Sequence, residues 1–187
     1  MPKRLVAPIL LLLAPAAFAA DALPNFSGHW RFDPGKSDDA VAKIEEVAGS
    51  AQVKGVGRSQ LIASLKAGKE VDRVQLREFM LERVKEFDEV EIEQSAAEFK
   101  VVDAAQDVAI YYLDRDHVRE DALGHKLKCH TGWKGGELVI EQKGDKTRSV
   151  QTFTMASGGE QMTQVIRFES GLLKQPLELR RVYDRRK

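Results

Sequence analysis

The chain has 187 residues, with 29 lysines and arginines set against 29 aspartates and glutamates and 43% hydrophobic side chains. That balance excludes general nucleic-acid binding, which needs an excess of cations facing phosphates, and adhesion to an anionic membrane surface. Cys129 is the only cysteine, so no internal disulfide can form and packing must supply the stability.

The first predicted element is a cleavable signal peptide, residues 1–19. Lys3 and Arg4 supply its positive start, Leu5 to Ala17 its apolar core, and Ala17-Phe18-Ala19 its small-residue cleavage site, with the cut before Ala20. About 16 uncharged residues up to Ala20 fall short of the roughly 20 that a spanning helix needs. Pro8, Pro15 and the polar turn at Asp21 also oppose an anchor, so no membrane span is expected after processing. The expected address is periplasmic or secreted. Processing takes Lys3 and Arg4 from the 29 basic residues, leaving 27 against 29 acidic ones. Residues 20–187 are long enough for a single domain with its own core.

The mature chain opens on a short strand, Gly28 to Phe32, and then turns helical over about 37–88. Ser37, with Asp38 and Asp39, predicts a helix cap, and Val41, Ile44 and Val47 share one side of the helix that follows. Gly49, Gly55 and Gly57 mark a loop, and a second short helix runs from Ser59 to near Gly68. A third begins at Asp72, with Leu76, Phe79, Met80, Val84 and Phe87 at three- and four-residue steps. Its other side carries Arg73, Arg77, Glu82, Lys85 and Glu86, expected to face solvent.

From Glu89 the hydrophobic period becomes two. Val90 and Ile92 alternate with glutamates, Phe99 and Val101 flank Lys100, and Asp107 to Leu113 is an apolar run. Leu127, Cys129, Thr131 and Trp133 share one face of the next strand, with Lys126, Lys128 and His130 on the other. Gly135-Gly136, Gly144-Asp145 and Ser157-Gly158-Gly159 read as turns between the strands Leu138 to Gln142, Val150 to Met155 and Met162 to Phe168. Leu177 to Tyr183 closes the chain. The expected fold is mainly β with a helical insertion (α+β), an antiparallel barrel of about 8–9 strands, because a long meander must close or fold over to hide its edges.

The run from Phe26 to Asp38, FSGHWRFDPGKSD, resembles the opening of exported bacterial lipocalin-like proteins, and its Gly28-x-Trp30 is similar to the Gly-x-Trp of calycin-type barrels. The resemblance implies a single lipocalin-like domain with Trp30 at the closed end of the barrel. It also implies an arginine from the last strand packed across that ring. Arg181 is the expected partner because it shares its face with Leu177, Leu179 and Tyr183. The resemblance does not extend to the long helical insertion, which could cap the barrel mouth.

No catalytic or metal pattern emerges. His125, Cys129 and His130 have metal-like composition, but only two of them share a strand face, too few for a closed zinc site. His117, in Asp114-Arg115-Asp116-His117, has a carboxylate nearby and no nucleophile tied to it, so a charged hairpin turn accounts for it. Neither a cofactor nor a metal is expected, and an enzymatic reading would rest on His117 or His125 alone. The aromatics Trp30, Phe32, Tyr112, Trp133, Phe153 and Phe168 all fall on strands and are the expected lining of a cavity for a small hydrophobic or amphipathic ligand. Non-catalytic ligand binding is thus the leading expectation. The alternative is a cell-envelope module that engages a protein partner through the helical insertion around Val71 to Phe87.

Overall fold

A computed structural model describes residues 23–48, 77, 78, 80, 81, 84, 87–120 and 125–186 of the chain. The expected signal peptide, the second helix and most of the third lie outside those residues. Among the described residues ten strands form one antiparallel sheet. They are β1 (Gly28–Phe32), β2 (Glu89–Gln94), β3 (Glu98–Asp103), β4 (Val108–Tyr112), β5 (Arg115–Glu120), β6 (Lys126–Lys134), β7 (Glu137–Lys143), β8 (Thr147–Met155), β9 (Gln161–Ser170) and β10 (Leu177–Arg185), in the order β4-β3-β2-β1-β10-β9-β8-β7-β6-β5. The first strand, β1 (Gly28–Phe32), pairs on one side with β2 (Glu89–Gln94) and on the other with β10 (Leu177–Arg185). That pairing joins the first strand to the last and curls the sheet into a nearly closed barrel.

One seam remains, between β4 (Val108–Tyr112) and β5 (Arg115–Glu120), the two ends of the strand order. A parallel bridge from Leu113, just past β4, reaches Thr131 of β6, the neighbour of β5, and the Asp114 amide donates to the Thr131 carbonyl at 2.7 Å. The count of ten exceeds the expected eight or nine because Asp114 to His117 is not simply a hairpin turn. It leads into β5, whose inward positions are Arg115, His117 and Arg119. A strand with no apolar alternation gives no signal of period two.

The other strands follow their patterns closely. In β6 (Lys126–Lys134) Cys129 and Thr131 are buried while Lys126, Lys128 and His130 are exposed. Gly135 and Gly136 both adopt positive φ, 59° and 86°, as a two-residue hairpin into β7 (Glu137–Lys143) demands. β8 (Thr147–Met155) and β9 (Gln161–Ser170) continue the meander, and β3 (Glu98–Asp103) lies between β2 and β4.

The helix after β1, α1 (Ala40–Ala48), is capped by Asp39, whose carboxylate accepts from the Ala42 amide at 3.1 Å. Ser37 does a different job from the capping expected of it. Its hydroxyl donates to the Asp33 carbonyl at 2.7 Å and accepts from the Val182 amide at 2.9 Å, clasping the Asp-Pro-Gly-Lys-Ser turn onto β10. Ile44, Val47 and Ala48 are buried with Met80, Leu173, Leu177 and Leu179, while Val41 is exposed. Arg77, Glu78, Met80, Leu81 and Val84 are helical, and Leu81 and Val84 pack on the same cluster. Arg77, expected in solvent, pairs with Glu45 of α1 and with Glu78. Ile44, Val47, Ala48, Met80, Leu81 and Val84 of the insertion are thus turned onto the barrel end formed by β9 and β10, whereas Val41 and Ala42 are exposed and Phe87 packs against the core cluster of Trp30 and Phe99.

Candidate functional site

The end of the barrel away from α1 is sealed, and we call it the floor. Phe26, Trp30, Phe99, Phe153 and Leu138 are each at most 4% exposed, with Trp133 packed against them. Phe26 meets the rings of Phe99, Phe153 and Trp133 at centroid distances of 6.0–6.1 Å. Its carbonyl accepts from the Trp30 indole nitrogen at 2.8 Å, which satisfies the one polar atom of that ring.

The arginine over Trp30 is Arg185, 4.2 Å from the ring centroid, and not the expected Arg181. The register decides this: Trp30 lies opposite Arg185, and Arg181 is four residues further along β10. Arg185 also donates to the carbonyls of Gly159, Ser27 and Asn25. A Cβ on Gly28 would stand 2.6 Å from its guanidinium, and Gly28 holds a φ of 139° that side chains rarely adopt. The glycine of Gly28-x-Trp30 therefore makes room for an arginine as well as for the bend of the chain.

Arg181, 2% exposed, lies 4.3 Å from the Phe32 centroid and reaches toward the insertion. It donates to the Val84 carbonyl at 2.8 Å, the Phe87 carbonyl at 3.2 Å and the Asp88 carboxylate at 3.0 Å. A guanidinium at the end of a helical segment adds a donor to its last carbonyls, here including the Val84 carbonyl, which also accepts from the Phe87 amide at 3.3 Å.

Above the floor the inner face changes character. Gln151 donates to Gln142 at 3.1 Å, Gln164 donates to Gln151 at 2.9 Å, and the Tyr183 hydroxyl donates to Gln164 at 3.2 Å. These side chains form a diagonal ladder across β7, β8, β9 and β10. Burial pushes the Tyr183 phenol up to about 12, an effect only partly offset by Arg181. Burial likewise raises the Cys129 thiol, disfavouring the thiolate needed for metal binding or nucleophilic attack.

Beyond the ladder, toward α1, the inward residues Leu127, Ser149, Ile166 and Phe168 are only partly buried, as is Gln151 within it. This is the candidate site: the upper half of a barrel whose lower half is full. Two open grooves, of about 280 and 410 Å³, lie on the outer wall and share Arg167 and Glu178. Their charged walls offer an apolar molecule little burial.

Of the six expected lining residues, Trp30 and Phe153 belong to the filled floor, and Phe32 and Trp133 pack partly buried against it. Phe168 lies with the helical cluster at the upper end. Tyr112 stands apart. Its neighbour Tyr111 takes the inward position opposite Phe99, while Tyr112 sits at the seam, under the Arg115 guanidinium at 3.9 Å and edge-on to His117 at 5.0 Å. Asp116 does not orient His117 either; it pairs with His130 on the outer face at 2.7 Å.

Sequence reasoning missed Phe26, Tyr111, Arg185 and the glutamine ladder. Alternation points toward Gln142 and Gln164, which share their strand faces with Leu138 and Ile140 and with Met162, Ile166 and Phe168, but not toward Gln151, whose face also carries Thr147 and Ser149.

No protein-family model and no curated protein sequence matches this chain. Among solved structures, a fatty acid transporter designated REP1-NXSQ aligns with a TM-score of 0.53 at 14% identity, over 86% of this chain and 96% of its own. The apo form of Caenorhabditis elegans lipid binding protein 8 aligns with a TM-score of 0.51 at 14% identity, over 86% and 95%. At such identities the likeness establishes the fold, a lipocalin-like barrel.

Proposed function

We propose that this protein is a non-catalytic, exported carrier that holds a small apolar or amphipathic ligand in the upper half of its barrel. The observation that carries the proposal is the contrast along one inner wall. Phe153 at the floor is 4% exposed, whereas Ile166 and Phe168, facing the same interior near α1, remain partly open. An apolar wall left incompletely covered is where an apolar guest gains most, about 0.8 kcal/mol for each methylene it buries. The Gln142–Gln151–Gln164–Tyr183 ladder gives the same space a polar side, which suits an amphipathic guest.

The two structural neighbours, a fatty acid transporter and a lipid binding protein, agree with this reading. Its exported character rests on the amino-terminal sequence, with cleavage before Ala20 and a periplasmic or secreted destination. Protein purified natively from the exported fraction is expected to begin at Ala20 and to release an apolar molecule on organic extraction. A chain that retains Met1 would overturn the export. A chain that carries nothing and takes up no hydrophobic probe would overturn the carrier.

A further inference from the structure

The seam between β4 and β5 holds polar capacity that the rest of the protein does not use. His117 lies opposite Cys129 in the β5–β6 register and Arg115 lies opposite Thr131. His117 and Thr131 are therefore diagonal neighbours on the inner face, about 7–8 Å apart. Both ring nitrogens of His117 and the Thr131 hydroxyl are buried, and none of them has a hydrogen-bond partner. Thr131 is 0% exposed. Buried polar groups are nearly always paired in native proteins, so an orphaned cluster marks a place where something else pairs with them.

The guanidiniums beside them are committed elsewhere. Arg119 donates to the Tyr111 hydroxyl at 3.0 Å, and Arg115 lies over the Tyr112 ring. The other large cation of the interior, Arg181, has both terminal nitrogens occupied by Val84, Phe87 and Asp88 and leaves only its Nε unpaired. Among the described residues the only other unpaired buried side-chain polar atom is Arg77 Nε, in the helical segment, so the unused capacity is concentrated at His117 and Thr131.

The chemistry of the two side chains selects the partner. A neutral imidazole offers one donor and one acceptor, and a threonine hydroxyl offers one donor and acceptor lone pairs. A hydroxyl both donates and accepts, so one such group can meet either ring nitrogen and the threonine hydroxyl as well. Thr131 is one inward step from Trp133, which packs on the sealed floor, so the end of a ligand reaches it and not the middle. The geometry points to a polar subsite at this seam, built by His117 and Thr131, that takes the terminal hydroxyl of a long apolar ligand. This subsite rests on the carrier reading and gives it a ligand class.

The test is displacement of anilinonaphthalene sulfonate from the mature, delipidated protein by dodecanol, dodecyl methyl ether and dodecanoate. Dodecanol is expected to displace the probe at a concentration roughly tenfold or more below that of the ether, which cannot donate. Thr131→Val and His117→Phe should each bring the alcohol toward the ether and leave the ether unchanged, while Thr131→Ser keeps the preference. Equal displacement by alcohol and ether in the wild type would overturn the subsite. So would a preference that survives both replacements, or an advantage of dodecanoate over the alcohol that neither replacement alters. In each of those cases the probe still binds and the carrier stands. Failure of the probe itself to bind the wild type would remove the carrier, and the subsite with it.

Discussion

At the floor of the barrel, Phe26, Trp30, Phe99 and Phe153 interlock, and the one polar atom among their side chains, the Trp30 indole nitrogen, is bonded to the Phe26 carbonyl. Toward α1 the same strands present glutamines, a buried tyrosine and an arginine inside, with Ile166 and Phe168 only partly covered. The difference teaches that packing changes along the barrel axis. The floor is closed by interlocking rings, while the upper half exchanges some of that burial for hydrogen-bonding side chains. Interiors normally pack at the density of organic crystals, so the partly covered inner wall is where the carrier proposed above would seat its guest.

The sharpest way to break this comparison is to make a hole in the floor. Phe153→Ala is expected to cost about 3–5 kcal/mol in urea unfolding, because a ring wedged between Phe26 and Phe99 leaves a cavity that its neighbours cannot fill. Phe168→Ala, at the partly open end, should cost clearly less. Equal losses would mean that both halves are packed alike.

Tyr183 makes a second comparison, between burial and solvent. Its phenol titrates at about 12 in the folded chain and at about 10 when unfolded. Between those values the folded chain keeps a proton that the unfolded chain has lost, so stability falls as pH rises through this window. The total loss is about 2–3 kcal/mol. Urea titrations at about pH 9 and pH 12 should show the wild type losing that much more than Tyr183→Phe, which has nothing to ionise. Parallel losses would place Tyr183 in contact with water.

The smallest effect concerns the seam. Thr131→Val removes an unpaired buried hydroxyl at nearly constant shape, so ligand-free protein should be unchanged or stabilised by up to about 1 kcal/mol. Destabilisation of more than that in thermal unfolding would show that the hydroxyl is already paired.

Most of the scaffold could be read from the residues. β1 is found at the expected Gly28 to Phe32, and the inward face of β6 follows from its alternation. Local pattern failed where a longer-range constraint ruled. β5 escaped notice because its inner positions are Arg115, His117 and Arg119, the residues that make the seam polar. Arg181 is the expected partner of Trp30 because it shares its face with Leu177, Leu179 and Tyr183; Arg185 lies on that face too, and only the register with β1 decides between them. Tyr112 is an expected lining residue, but an apolar run with no polar alternation does not reveal which of two adjacent tyrosines points inward. Site and scaffold differ in this way for a physical reason. Packing leaves a periodic trace in a sequence, but a polar group turned inward looks like one turned outward until the strand pairing is known.

The central claim, that the upper half of the barrel holds an apolar or amphipathic guest, is tested most directly by native mass spectrometry of the exported protein before and after organic extraction. The account predicts one noncovalent adduct per chain, removed by extraction and replaced by a single equivalent of hydrophobic probe. A bare chain in both spectra, with no saturable uptake of probe, would contradict it.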